Sequence, residues 1–174
     1  MRRTAAGVTV VGTAGRTPWM AQTVSSMCSV SAEPPLVLVC VNERSPLCRA
    51  IEANGLFAVS VLATGHDHVA DTFAGRPWPG KDRWDFTCGT WEAAPSGAPR
   101  LADALAAFDC RLHRSVPGGT HRVFLGHVDE VTSMPGVPLV YTDRDYGRPE
   151  PIEPSRFAEF PDAHPQNRMR NRAT

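Results

Sequence analysis

The pair Pro34-Pro35 opens onto the longest uninterrupted apolar stretch of the chain, Leu36-Val-Leu-Val-Cys-Val41. A run this short cannot cross a bilayer as a helix. Rich in β-branched residues and fenced by proline, it predicts a strand, and its continuity predicts burial on both faces. The same grammar recurs along the chain. Val8 to Val11 is a β-branched run ended by Gly12 and Gly15, Leu56 to Leu62 is a second strong strand, Val123 to Val131 a third, and Val137 to Tyr141 a short last one. Thr23 to Ser31 is small, hydroxyl-rich and partly alternating.

Helix signals are few. Ser45 as N-cap, Pro46 at the first helical position and Leu47, Ala50 and Ile51 at helical spacing predict a helix that Asn54-Gly55 ends. Thr64 is the expected cap of a second short helix with Val69, Ala70 and Phe73 on one face. Residues 75 to 100, full of Gly, Pro and Trp, read as a long ordered loop with short strands. Leu101 to Leu112 is ambiguous: its first half is Ala-rich, while Phe108, Cys110 and Leu112 alternate with polar residues. Pro117-Gly118-Gly119 reads as a turn. Six or so strands, two short helices and no βαβ rhythm indicate a mostly β barrel or sandwich.

Composition narrows the function by exclusion. With 18 Lys+Arg against 18 Asp+Glu the chain is neutral, so it lacks the basic excess of a general nucleic-acid binder. Cys28, Cys40, Cys48, Cys88 and Cys110 are odd in number and hold no C-x-x-C pair, which points to free thiols in a reducing cytoplasm rather than zinc or disulfides. Arg2-Arg3 before an apolar run resembles an export signal, but Ala5 to Val11 reads as strand and the expected location is cytoplasmic, with no membrane partner. His66-Asp67-His68 makes a poor metal pair on a helix, where the two imidazoles point apart, and no metal site is expected. No Ser-His-Asp or Cys-His order and no Gly-rich phosphate loop stands out.

The order of segments carries more. Gly7-Val-Thr-Val-Val11, Thr23-x-Ser25-Ser26-x-x-Ser29-Val30-Ser31-x-x-Pro34-Pro35-Leu36-Val37, Phe57 to Leu62, Asp82-Arg83-Trp84, Pro99-x-Leu101, Gly119-x-His121 with Val123 to Gly126, and Pro138-Leu139-x-Tyr141 follow one another. In order and spacing this set resembles the short-chain flavin reductase family from about Gly7 to Gly147. The resemblance implies an FMN-binding split β-barrel with a few short helices over residues 1–147, and a Pro/Arg-rich arm or tail over 148–174. It implies a homodimer that uses NADH or NADPH to reduce FMN, or FAD, for a partner flavin-dependent monooxygenase reached by diffusing reduced flavin. Direct action on a small natural-product substrate, and a non-enzymatic flavin-binding barrel with Arg168, Arg170 and Arg172 as contact arm, are the alternatives.

By the same resemblance, cofactor contacts fall on Thr23, Ser25, Ser26, Ser29, Ser31, Cys40, Asn42, Arg44, Ser45, Lys81, Arg83, Trp84, Tyr141 and Tyr146. Hydroxyls and small side chains allow close backbone approach to a flat ring and donate to its oxygens. Ser45 lies where a helix start favours an anion, although the family's serial hydroxyls are reduced here to one, beside Arg44. His121 is the expected catalytic residue at the nicotinamide, in a Gly119-Thr120-His121 element where the family carries Asp at the middle position. The first strand begins almost at once, where family members usually place an amphipathic helix, a difference expected to touch the dimer surface.

Overall fold

A computed structural model describes residues 3–152. The expectations for the tail, Arg168, Arg170 and Arg172 included, lie outside the described residues. Twelve strands and two helices follow in the order β1 (Ala6–Gly7), β2 (Thr9–Thr13), β3 (Met20–Val24), β4 (Met27–Ala32), β5 (Pro35–Asn42), α1 (Pro46–Asn54), β6 (Leu56–Val61), α2 (Asp67–Phe73), β7 (Trp91–Ala93), β8 (Pro99–Leu101), β9 (Ala106–Gly118), β10 (His121–Ser133), β11 (Val140–Thr142) and β12 (Asp145–Gly147). The chain is mostly β. Seven strands form one antiparallel sheet in the order β3-β2-β6-β9-β10-β5-β4, with β1-β11-β12 and β7-β8 as small satellites.

The large sheet curls as a split barrel. Val11 and Val24 from one end meet Val37, Val39 and Val41 from the other in a single core, with Phe57, Cys110 and Phe124 between them. Leu47, Cys48 and Ile51 of α1 plug this interior. Burying such side chains stabilises the fold by roughly 1.5–3 kcal/mol each. α1 forms where the sequence predicts it: Leu47 N–H donates to Ser45 Oγ at 3.2 Å, Pro46 opens the first turn, and Gly55 closes the helix with φ +72°. A second core lies on the outer face of β2 and β3, where Val8, Val10 and Ala21 meet Val69, Ala70 and Phe73 of α2, Leu101, and Leu139.

Several expectations change. The strands buried on both faces are β2, covered by α1 and its core inside and by α2 outside, and β6, whose Phe57 and Val59 face the barrel core while Ala58 packs on Ala94 and Ala98; Leu36 to Val41 is not. In β5 only Val37, Val39 and Val41 are buried, while Leu36, Leu38 and Cys40 on the other face are half-covered, because α2 does not reach that far along the sheet. The strands number twelve among the described residues because two- and three-residue strands have no periodicity to read. Thr64 does not cap α2. Its hydroxyl donates to Val137 O at 3.1 Å, and the helix starts after His66 with no side-chain cap. The ambiguous Leu101–Leu112 stretch resolves into a turn and then strand from Ala106, and the last strand expected over 137–141 is a hairpin, β11–β12. No described helix is long and apolar enough to cross a membrane.

Candidate active site

Two cavities open side by side where β3, the end of β5 and the start of α1 converge. The larger, about 480 Å³, is walled by Trp19, Phe73, Trp84 and Phe86 on one side and by Asn42, Arg44 and Ser45 on the other. The smaller, about 150 Å³, is lined by Thr23, Ser25, Ser26, Cys40 and His121, and Gln22 and Asn42 border both.

The polar wall is built by the β5–α1 corner. Ser45 N–H donates to Asn42 O at 2.9 Å and Arg44 N–H to Asn42 Oδ1 at 2.9 Å, which fixes the turn. α1 begins there with no acidic residue in its first turn, so the positive end of its dipole favours an anion, while Pro46 has no N–H and the Leu47 and Cys48 N–H groups are taken by Ser45 Oγ and O. Arg44 is exposed beside them and makes no ion pair among the described residues. The apolar wall is an aromatic cluster. Phe86 packs edge-on to Phe73 at 5.1 Å and lies 5.5 Å from Trp19, and Trp91 backs both phenylalanines. Trp84 stands 52% exposed at the mouth, on a left-handed backbone of φ +60° that its N–H donation to Thr72 O at 3.2 Å holds in place.

His121 opens β10 at the tip of the β9–β10 hairpin, paired in register with Asn42 of β5. Its Nδ1 lies 2.9 Å from Thr120 Oγ1, so a hydroxyl orients the ring where an acid was absent from the sequence. Glu43 N–H donates to Thr120 O at 3.1 Å and ties this tip to the corner. Ser26 Oγ–H donates to Cys40 O at 3.0 Å, which ties the β3–β4 turn to β5.

Eight of the fifteen residues named from the sequence line one of these cavities besides Asn42, which lines both. The others sit elsewhere. Ser29 and Ser31 lie further along β4 and line neither. Lys81 is exposed, its Nζ donating to Thr87 Oγ1 at 2.7 Å, and Arg83 is exposed next to Trp84 without lining the cavity. Thr23 lines the small cavity, but its hydroxyl is turned to α2 and donates to Ala70 O at 2.7 Å. Tyr141 and Tyr146 pack together at 5.3 Å in the β11–β12 hairpin. Tyr146 borders a third cavity of about 310 Å³ with Thr64, Asp67 and Arg148.

Sequence reasoning missed Gln22, Trp19 and Phe86. For Gln22 the signal was present: in a strand, alternation turns residue 22 away from the α2 side that Ala21 and Thr23 face. Hydroxyl content drew attention to the neighbour instead. Among the described residues no three or more His, Cys, Asp or Glu side chains come together in a group that could hold an ion. His66 accepts from Ala63 N–H at 3.1 Å and faces Asp103 at 3.3 Å, a structural role.

Comparison with known proteins bears on the whole arrangement. The family model for the flavin reductase like domain matches residues 1–150. The FMN reductase (NADH) RutF of Ancylobacter novellus is 39% identical over 155 residues, spanning 86% of this chain and 84% of that protein. RutF of Methylorubrum extorquens strain DM4 is 38% identical over 174 residues, 95% of this chain and 83% of its own length. Among solved structures, the Streptomyces globisporus C-1027 NADH:FAD oxidoreductase SgcE6 superposes with a TM-score of 0.77 at 37% identity, covering 86% of this chain and 89% of its own. BorF, the flavin reductase component of a bacterial two-component tryptophan halogenase, gives 0.75 at 36% identity over 84% of this chain and 92% of its own.

Proposed function

Since the chain belongs to the flavin reductase like domain family, we propose that it is an NADH-dependent FMN reductase that releases reduced flavin to a separate flavin-dependent monooxygenase or halogenase. The observation that carries the reading is the pair of adjoining cavities, which sets an aromatic wall, an anion-favouring helix start and a hydroxyl-lined notch with His121 side by side, with Gln22 and Asn42 bordering both. That donor set fits a flavin: a flat apolar ring, a polyhydroxyl chain and a terminal phosphate. Both RutF relatives are FMN reductases (NADH) and SgcE6 is an NADH:FAD oxidoreductase, which makes NADH the expected reductant and FAD the alternative flavin.

When bound, flavin supplies the hydride-accepting chemistry, and the protein supplies position. The α1 start and Arg44 would hold the phosphate. Ser25 and Ser26, exposed on the turn between β3 and β4, would meet the polar edge of the ring, and Trp84 would shield its apolar edge from water. His121, oriented by Thr120, would sit at the open face and set the nicotinamide against it. No acid–base triad is required for such a transfer, and the site holds none among its described residues.

The test is the visible absorption of the purified protein with FMN and then NADH. The expected result is a perturbed flavin spectrum and steady NADH consumption in air. A protein that leaves the flavin spectrum unperturbed and consumes no NADH with FMN or FAD sinks the reading.

A further inference from the structure

Along β3, the side chains that face α1 are Met20, Gln22 and Val24. Val24 is buried in the barrel core and Met20 packs against it. Gln22 is therefore an amide set in an apolar file, which is costly unless its polar ends are bonded. Its oxygen is bonded: Ser45 Oγ–H donates to Gln22 Oε1 at 2.5 Å, while the same Oγ accepts from Leu47 N–H. Its nitrogen makes no hydrogen bond to any described residue, and no buried side-chain nitrogen or oxygen among them lacks a partner, so Nε2 faces open space. That space is the seam of the two cavities, which only Gln22 and Asn42 border on both sides. Asn42 Oδ1 is likewise committed, to Arg44 N–H, so both amides at the seam are held by their acceptors. Gln22, set in the apolar file, presents its two N–H donors there.

We propose that Gln22 is a specificity-determining residue that donates to the ribityl chain of the flavin. This rests on the reductase reading above. The α1 start and Arg44 lie on one side of the seam and Ser25, Ser26 and His121 on the other, so the segment joining phosphate to ring must cross it. That segment is a run of hydroxyls, whose oxygens accept from an amide. Ser45 fixes the amide in advance, which lowers the cost of ordering it on binding.

The test compares wild type with Gln22→Met, which suits the apolar file, using FMN, riboflavin and lumiflavin, the last lacking the ribityl chain. Dissociation constants for FMN and riboflavin come from quenching of protein fluorescence by titrated flavin. The specificity constant for each of the three flavins comes from NADH consumption. The expected result is an about tenfold loss of affinity for FMN and riboflavin alike, as for one lost hydrogen bond. The lumiflavin constant and the KM for NADH stay at wild-type values. Unchanged FMN binding, or an equal loss for all three flavins, overturns the proposal while leaving the reductase reading intact. Wild type inert towards every flavin overturns both. Should Gln22→Met fail to fold, Gln22→Glu keeps the acceptor for Ser45 and removes both donors, and the same contrast between ribityl-bearing flavins and lumiflavin is read.

Discussion

Asp71 of α2 gathers three side chains that are otherwise far apart in function. It accepts from Tyr146 Oη–H at 2.9 Å, Arg76 at 3.0 Å and Trp78 Nε1–H at 3.2 Å. The β11–β12 hairpin is thereby tied to the loop that carries Trp84 to the cavity. Burial first, and then this hydrogen bond to a carboxylate, push the Tyr146 hydroxyl up to about 12. An acid raised above its unfolded value is protonated in the fold while the open chain is already ionised. Its contribution to stability is complete below about 10 and is lost as pH rises through about 12. A titration of tyrosinate absorbance should show a step near 12 that vanishes in Tyr146→Phe. A wild-type titration without that step would contradict the Asp71 clamp. The Thr120 hydroxyl against His121 makes a second prediction at this scale. Thr120→Val should lower NADH turnover several-fold with Tm unchanged, since the pair sits on an exposed hairpin tip. Turnover equal to wild type would remove Thr120 from the site. The Asp71 partnership was not legible in the sequence, because Asp71 and Tyr146 are 75 positions apart and only the folded hairpin brings them together, whereas Thr120 adjoins His121 in the chain.

Elements were legible where periodicity or capping is strong. α1 is fixed by Ser45, Pro46 and Gly55, each acting on its immediate neighbours, and so it was readable. β2 as a doubly covered strand was not, because its coverage is decided by α2 and by Leu101 and Leu139, which arrive from distant segments. The β9–β10 pair is the longest ladder and carries two register irregularities, one of them between Leu125 and Gly126. There the backbone passes close beneath the ring of Phe57: a Cβ at Gly126 would lie 2.5 Å from Phe57 Cζ and 2.8 Å from Cys110 Cβ. Both neighbours are fully packed in the barrel core, so neither can yield. Gly126→Ala is therefore expected to destabilise by about 1–3 kcal/mol, read as a Tm lowered by roughly 2–4 °C for each kcal/mol. A Tm equal to wild type would mean that the ladder shifts freely at this point.

At the scale of the molecule, the curled sheet leaves one face unfinished. On β10, Phe124 and Gly126 point inward, so Val123 and Leu125 point outward. They stand opposite Cys40 and Leu38 of β5, and Leu38 in turn stands opposite Cys28 of β4. Val116, paired with Val123, is 39% exposed, and Val30 at the β4 irregularity is 46% exposed. These side chains form an apolar band across the outside of four adjacent strands, where neither helix lies. The band runs up to Cys40, Ser26 and His121, hence to the rim of the smaller cavity. Its apolar character explains why β5 reads as a buried strand in sequence while only half of it is buried within one chain. A second copy of the chain is the occupant we propose, consistent with the homodimer that the family resemblance implies. A stable interface buries about 1,600 Å² in total, and the band spans four adjacent strands, β9, β10, β5 and β4. Leu38→Glu places a charge at its centre without touching the barrel core, since the inward residues of β5 are Val37, Val39 and Val41. Light scattering should give twice 18.9 kDa for wild type and a single chain mass for Leu38→Glu, with Tm little changed and flavin affinity weakened because the rim of the smaller cavity loses its cover. A wild-type mass of one chain would leave the apolar band without a second copy, and a dimeric Leu38→Glu would move the interface to another face.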